Sequence, residues 1–236
     1  MWLFVLFFAS FFPDQASASG AFDVPTGWTS LPVQSPLPER DPLMLSARTP
    51  RCGAGVRTSL PLLPDGPYYR HTSASVSHGS ALLLEAIAGV AEVMHRDYPE
   101  IDPLFVGRLN QPGGERNKNL MHQDGLDGDI GIYTLDGEQA GFGRAATPST
   151  LDKEHTWAEI KAFFDTGRVK WILLDQSLVD TLRVWLQRTG LLSESRAAQL
   201  FPAAGTQRYL TSDMVMHAPG HKNHIHVHMK CVDEQD

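Results

Sequence analysis

Half of the ten histidines in this 236-residue chain fall between positions 217 and 228: His217, His221, His224, His226 and His228. The last three alternate with Ile225, Val227 and Met229. On a strand, successive side chains point to opposite faces, so this run predicts three imidazoles on one face and an apolar core face behind them. Neighbouring imidazoles would stand roughly 6.6 Å apart at the backbone, from a rise of about 3.3 Å per residue. That spacing suits one metal ligand and one base sharing a water, and equally two adjacent ligands. The plain alternative is a histidine-rich surface row.

A second segment, His122-Gln123-Asp124-Gly125-Leu126-Asp127-Gly128-Asp129-Ile130, sets a histidine seven residues before an aspartate that is expected to open a strand. Gly125 and Gly128 let the backbone between them turn, so a loop imidazole and a strand carboxylate can converge. One Asp and two His ligands leave a zinc ion with net charge near +1 and an open position. Such a site brings the pKa of a bound water to about 7. The alternative is a turn of solvated aspartates, and the spacing of Asp124, Asp127 and Asp129 is not that of an EF-hand. H-E-x-x-H, G-x-S-x-G and S-x-x-K are all absent, which favours metal-activated water over an acyl-enzyme route.

These segments need a scaffold. Leu83, Ile87, Val90 and Met94 recur at helical spacing and predict a helix over 80–96. Strands are expected at 104–109, 129–133, 169–174 and 223–231, with an excursion loop at 136–149. Thr156 and Glu159 form a T-x-x-E pattern, read as the capping box of a second helix. A third helix is expected over 177–188, stopped by Gly190. This mixture gives a small α+β domain with a mostly antiparallel sheet flanked by helices.

Composition narrows the function. A net charge of −7 argues against nucleic-acid binding, which depends on Lys and Arg neutralising phosphates. The apolar run 2–12 followed by Ala16-Ser17-Ala18 reads as a secretory signal over 1–18. It is far shorter than the roughly 20 apolar residues needed to span a bilayer; no Lys or Arg precedes it, and the alternative is an uncleaved anchor. Residues 19–66 read as a Pro-rich irregular arm packed on the domain, and 67–236 as the domain itself. In an oxidising compartment Cys52 and Cys231 are expected to pair, the alternative being two buried thiols.

The two histidine segments together resemble the motifs of the penicillin-insensitive murein endopeptidases. His122 to Ile130 is similar to their H-Q-x-G-x-D-x-D-I motif, and 220–227, Gly-His-Lys-Asn-His-Ile-His-Val, to their H-x-x-H-x-H motif. The resemblance runs from about Pro64 to Cys231 and includes the Gly113-Gly114-Glu115-Arg116 loop and the apolar strand at 169–174. Departures are Asn119 where some members have histidine, Ala218-Pro219-Gly220 in place of an aromatic approach, and Gly128 for valine. The resemblance implies the fold shared by lysostaphin, D-Ala-D-Ala peptidases and the hedgehog domain. It further implies Zn2+ held by His122, Asp129 and His226, with His224 as general base and His221 as an auxiliary active-site histidine. The activity implied is cleavage of D-alanyl-diaminopimelate cross-links in periplasmic peptidoglycan. Rival readings are a D,D-carboxypeptidase or dipeptidase on the same fold, and a non-catalytic zinc or peptidoglycan-binding module.

Overall fold

The computed structural model describes residues 60–112, 122, 124–140, 143–203 and 214–230. The expected signal segment, most of the Pro-rich arm, the glycine loop at 113–116 and both cysteines lie outside the described residues.

The described chain is α+β. Its strands are β1 (Tyr69–His71), β2 (Leu104–Val106), β3 (Asp127–Tyr133), β4 (Gln139–Ala140), β5 (Val169–Leu174), β6 (Met214–His217) and β7 (His224–Met229). Its helices are α1 (Ala81–Asp97), α2 (Lys153–Asp165), α3 (Gln176–Arg188) and α4 (Glu194–Leu200). The strands order as β1-β2-β3-β7-β5-β6, with β4 paired to β3. The sheet is mixed. Its centre, β2-β3-β7-β5, is antiparallel as expected, whereas the outer pairs β1–β2 and β5–β6 run parallel.

Four of these elements, β1, β4, α4 and β6, have no counterpart in the sequence reading, and β4 falls where an excursion loop was expected. Helix α2 also corrects it. The helix begins at Lys153, and its N-cap is Asp152, whose side chain accepts from His155 N at 3.2 Å. Thr156 and Glu159 are therefore one turn inside the helix and fully buried, not a capping box. The Asp152 carboxylate wins the cap because aspartate at this position satisfies an orphan donor and favours the positive end of the helix dipole.

The core face of the sheet carries Ile130, Ile132, Ile172, Val215, Ile225, Val227 and Met229, all fully buried. They share one cluster with Leu83, Ile87 and Val90 of α1, Ile160 and Phe163 of α2, and Leu178, Leu182 and Leu186 of α3. Burying each such side chain contributes about 1.5–3 kcal/mol. This fixes the register of β7: a one-residue slip would drive three imidazoles into that cluster and turn Ile225, Val227 and Met229 out of it. The described end of the arm joins the same cluster through Leu63, whose N–H donates to Ser77 O at 2.8 Å. Among the described residues no helix is long and apolar enough to cross a membrane.

Candidate metal centre

The site lies on the other face of the sheet, where β3 and β7 run side by side. Cross-strand pairing sets Asp129 opposite His226, Asp127 opposite His228, and Gly131 opposite His224. The alternation that buries Ile225 and Val227 therefore aims three imidazoles and two carboxylates at one another. The strand opens at Asp127, two residues earlier than expected, and this brings the second carboxylate onto the site face.

The two glycines do different work. Gly125 has φ +85°, and its carbonyl accepts from Ser80 N at 2.8 Å, which ties the start of α1 to the turn before β3. A Cβ there would meet Leu60 Cδ2 at 2.7 Å and Ser80 N at 3.0 Å. Gly128 is no turn residue. It lies inside β3 against the core, and a Cβ there would meet Leu109 Cδ2 at 2.8 Å. Of the two glycines, it is Gly125 that serves the turn between His122 and Asp129.

His122, Asp129 and His226 are all buried, and one donor atom from each lies within 4.8 Å of the others. This group could hold a metal ion. Asp129 Oδ1 is its focus: His226 Nδ1 stands 2.8 Å away and His122 Nε2 3.4 Å. Ligands on a tetrahedral zinc with bonds of about 2.0–2.1 Å stand about 3.4 Å apart, so the His122–Asp129 spacing already fits an ion. The His226–Asp129 spacing is that of a hydrogen bond, held by a proton that an ion would displace.

The electrostatics agree with that exchange. Burial pushes Asp129 up, but hydrogen bonds from His122 and His226 outweigh it and hold the carboxyl well below the usual range. Burial pushes His226 down, yet its bonds to Asp127 and Asp129 raise it to about 9. An imidazole whose two nitrogens both face buried carboxylates must carry either two protons or a proton and a metal. Two imidazoles and a carboxylate are a donor set for a divalent transition-metal ion, zinc and iron among them.

His224 is placed differently. Its Nδ1 is 2.7 Å from Asn223 Oδ1, an oxygen that can only accept, so Nδ1 carries the proton. Nε2 is then the unprotonated nitrogen, 3.6 Å from Asp129 Oδ1. Burial lowers His224 to about 4, against the pull of the Asp129 charge. A neutral imidazole with Nε2 directed at the metal position can accept a proton there. His221 stands beside it, ring centroids 4.7 Å apart. Its Nδ1 lies 3.1 Å from Pro219 O and 3.3 Å from Ala218 O, so Nδ1–H donates and Nε2 accepts. Burial lowers its pKa as well.

Of the sequence-derived site residues, the structure therefore brings His122, Asp129, His226, His224 and His221 together. His217 ends β6 opposite Leu174, away from the group. Three further residues escaped the sequence reading. Asp127 Oδ1 accepts from His226 Nε2 and from His228 Nδ1, each at 2.8 Å. Asn223 holds His224, and Trp171 of β5 stacks on His228 at 4.3 Å between centroids. Starting the strand at Asp127 would have exposed the pairing of D-x-D with H-x-H. Nothing in the largely apolar run of β5 singles out Trp171.

No family model and no curated protein matches this chain.

Proposed function

We propose that this protein is a zinc-dependent peptidoglycan endopeptidase that hydrolyses D-alanyl-diaminopimelate cross-links in the periplasm. One observation carries the reading. His122 Nε2, His226 Nδ1 and the Nε2 of His224 all converge on Asp129 Oδ1, which gives a three-residue metal group and an imidazole beside it. A module that merely bound metal would have no use for the third imidazole. The antiparallel β3-β7-β5 centre, with the site on one face and helices on the other, supports the hedgehog and D,D-peptidase fold for the chain. The two histidine motifs support the cell-wall substrate.

His122, Asp129 and His226 would hold the ion, which when bound acidifies water and polarises the scissile carbonyl. His224 takes a proton at Nε2 and later delivers it to the leaving amine, while Asn223 keeps the other ring nitrogen protonated throughout. His221 presents an acceptor, so it orients a substrate N–H rather than donating to the oxyanion. This route needs no acylated serine.

The test is incubation of the purified protein with cross-linked muropeptide dimers, with products weighed by mass spectrometry. Conversion of dimers to monomers is expected, and a chelator should stop it. Release of terminal D-Ala alone would instead identify a carboxypeptidase, and unchanged dimers in the presence of bound zinc would identify a binding module.

A further inference from the structure

The proposed metal group has an outer side. His226 presents Nδ1 to Asp129 and Nε2 to Asp127, so a single imidazole links the two carboxylates of the D-x-D run. Asp127 is almost fully buried, at 3% exposure, and its Oδ1 is bound a second time by His228 Nδ1 at 2.8 Å. Trp171 lies nearly parallel to both rings, 9° from the plane of His228 and 18° from that of His226. The asymmetry with the other histidine of the group is plain. The buried Nδ1 of His122 has no hydrogen-bond partner among the described residues.

We infer that Asp127 is the positioning residue of this centre, and that His228 and Trp171 hold it and the ring in place. The inference rests on the metal-site reading above. A histidine can offer either ring nitrogen, and the one that binds metal is decided by the hydrogen bond the other makes. Asp127 accepts the Nε2–H of His226, and this leaves Nδ1 as the lone pair facing Asp129 and His122. His228 donates to the same oxygen, so the carboxylate stays turned toward both rings. The stack of Trp171 on His228 opposes rotation of the outer ring. His228, whose role the alternation of β7 left open, thereby becomes part of the device: it binds no metal itself and orients the group that orients a ligand.

The experiment measures zinc dissociation constants by chelator competition on the full chain, for wild type, D127A, D127N and H228A. The tautomer of His226 in the zinc form is read by long-range proton–nitrogen NMR correlation. Wild type should bind one zinc tightly, with the His226 proton on Nε2. D127A should bind about 10- to 100-fold more weakly, the usual loss on removing an outer partner of a metal-bound histidine. Its His226 proton should no longer sit on Nε2 alone. D127N keeps an acceptor oxygen and should recover part of the loss, and H228A should show a smaller, several-fold weakening. A purely structural role would lower thermal stability and leave the zinc affinity of the folded protein unchanged. Affinities within twofold of wild type for D127A and H228A would overturn the inference while leaving the metal site standing. If D127A does not fold, H228A and D127N decide it on the same criterion. A wild-type chain that binds no zinc would remove both readings together.

Discussion

Asp129 in β3 and Glu159 in α2 are both buried carboxylic acids, and the fold treats them in opposite ways. Asp129 is 6% exposed and is surrounded by imidazoles: His226, His122 and His224 all reach its Oδ1 within 3.6 Å. Glu159 is fully buried on α2, where Gln139 Nε2 donates to it at 3.4 Å and its second oxygen has no hydrogen-bond partner among the described residues. Asp129 is accordingly held as a charged carboxylate, while burial drives Glu159 well above its usual value and favours its neutral form. Burial alone therefore marks neither as functional. The number and type of donors at each oxygen decide, and only Asp129 has the company of a cation site.

The contrast can be broken from the Asp129 side first. H226A removes the imidazole that Asp127 and Asp129 share, leaving Asp127 with His228 and Asp129 with His122. It should cost about 3–5 kcal/mol in the metal-free protein and abolish zinc retention, as seen by thermal unfolding and metal analysis. H224A leaves the three metal residues in place. It should keep stoichiometric zinc and lose turnover by about 10²- to 10⁴-fold, the usual contribution of a general base. Full hydrolytic activity in H224A would remove His224 from the mechanism.

The frame around the site gives a smaller effect. G125A forces a side chain onto a backbone at φ +85° and against Ser80 N, and should destabilise by about 1–3 kcal/mol in denaturant titrations. An unchanged midpoint would show that the turn tolerates a Cβ.

Glu159 sharpens the comparison from the other side. Its pKa in the fold lies above the unfolded value, so its contribution is fully present below about pH 4.3 and declines as pH rises toward the folded value. E159Q keeps a neutral, hydrogen-bonding side chain and lacks that decline. Its melting temperature relative to wild type should therefore climb as pH is raised from about 4.3. A difference that does not vary with pH would show that Glu159 is not held neutral.

The smallest effect concerns His155, whose Nδ1 is 2.7 Å from Asp152 and whose ring meets Tyr98 edge-on. Burial lowers its pKa, but the bond to Asp152 and the nearby acidic charges raise it overall. Its contribution is thus full below about pH 6.5 and is lost as pH rises through the folded value. H155Q should cost more at pH 6 than at pH 9, by unfolding at each pH.

Much of this was legible in the residues. The alternation of β7 announced which side chains face the core and which face the site, because period two is a property of any half-buried strand. The amphipathic spacing of α1 and the apolar run of β5 were equally clear, since both answer to burial. The misreadings have physical causes. The T-x-x-E pattern at Thr156 was overruled by Asp152, a cap one turn earlier. Gly128 looked like a turn residue, but it is small because Leu109 packs where its side chain would be. Asp127 was passed over because its partner His226 lies 99 positions away, and only the β3–β7 register brings them together. The parallel edges of the sheet depend on long connections whose direction no local pattern encodes.

The central claim is that a metal held by His122, Asp129 and His226 and a base at His224 act together on peptidoglycan. Its most direct test follows dimer cleavage by the wild-type protein after removal of metal and after return of one equivalent of zinc, with H224A in parallel. Activity should vanish on chelation, return with zinc, and stay absent in H224A loaded with zinc. Cleavage that survives complete removal of metal, or that H224A performs at the wild-type rate, would contradict the account.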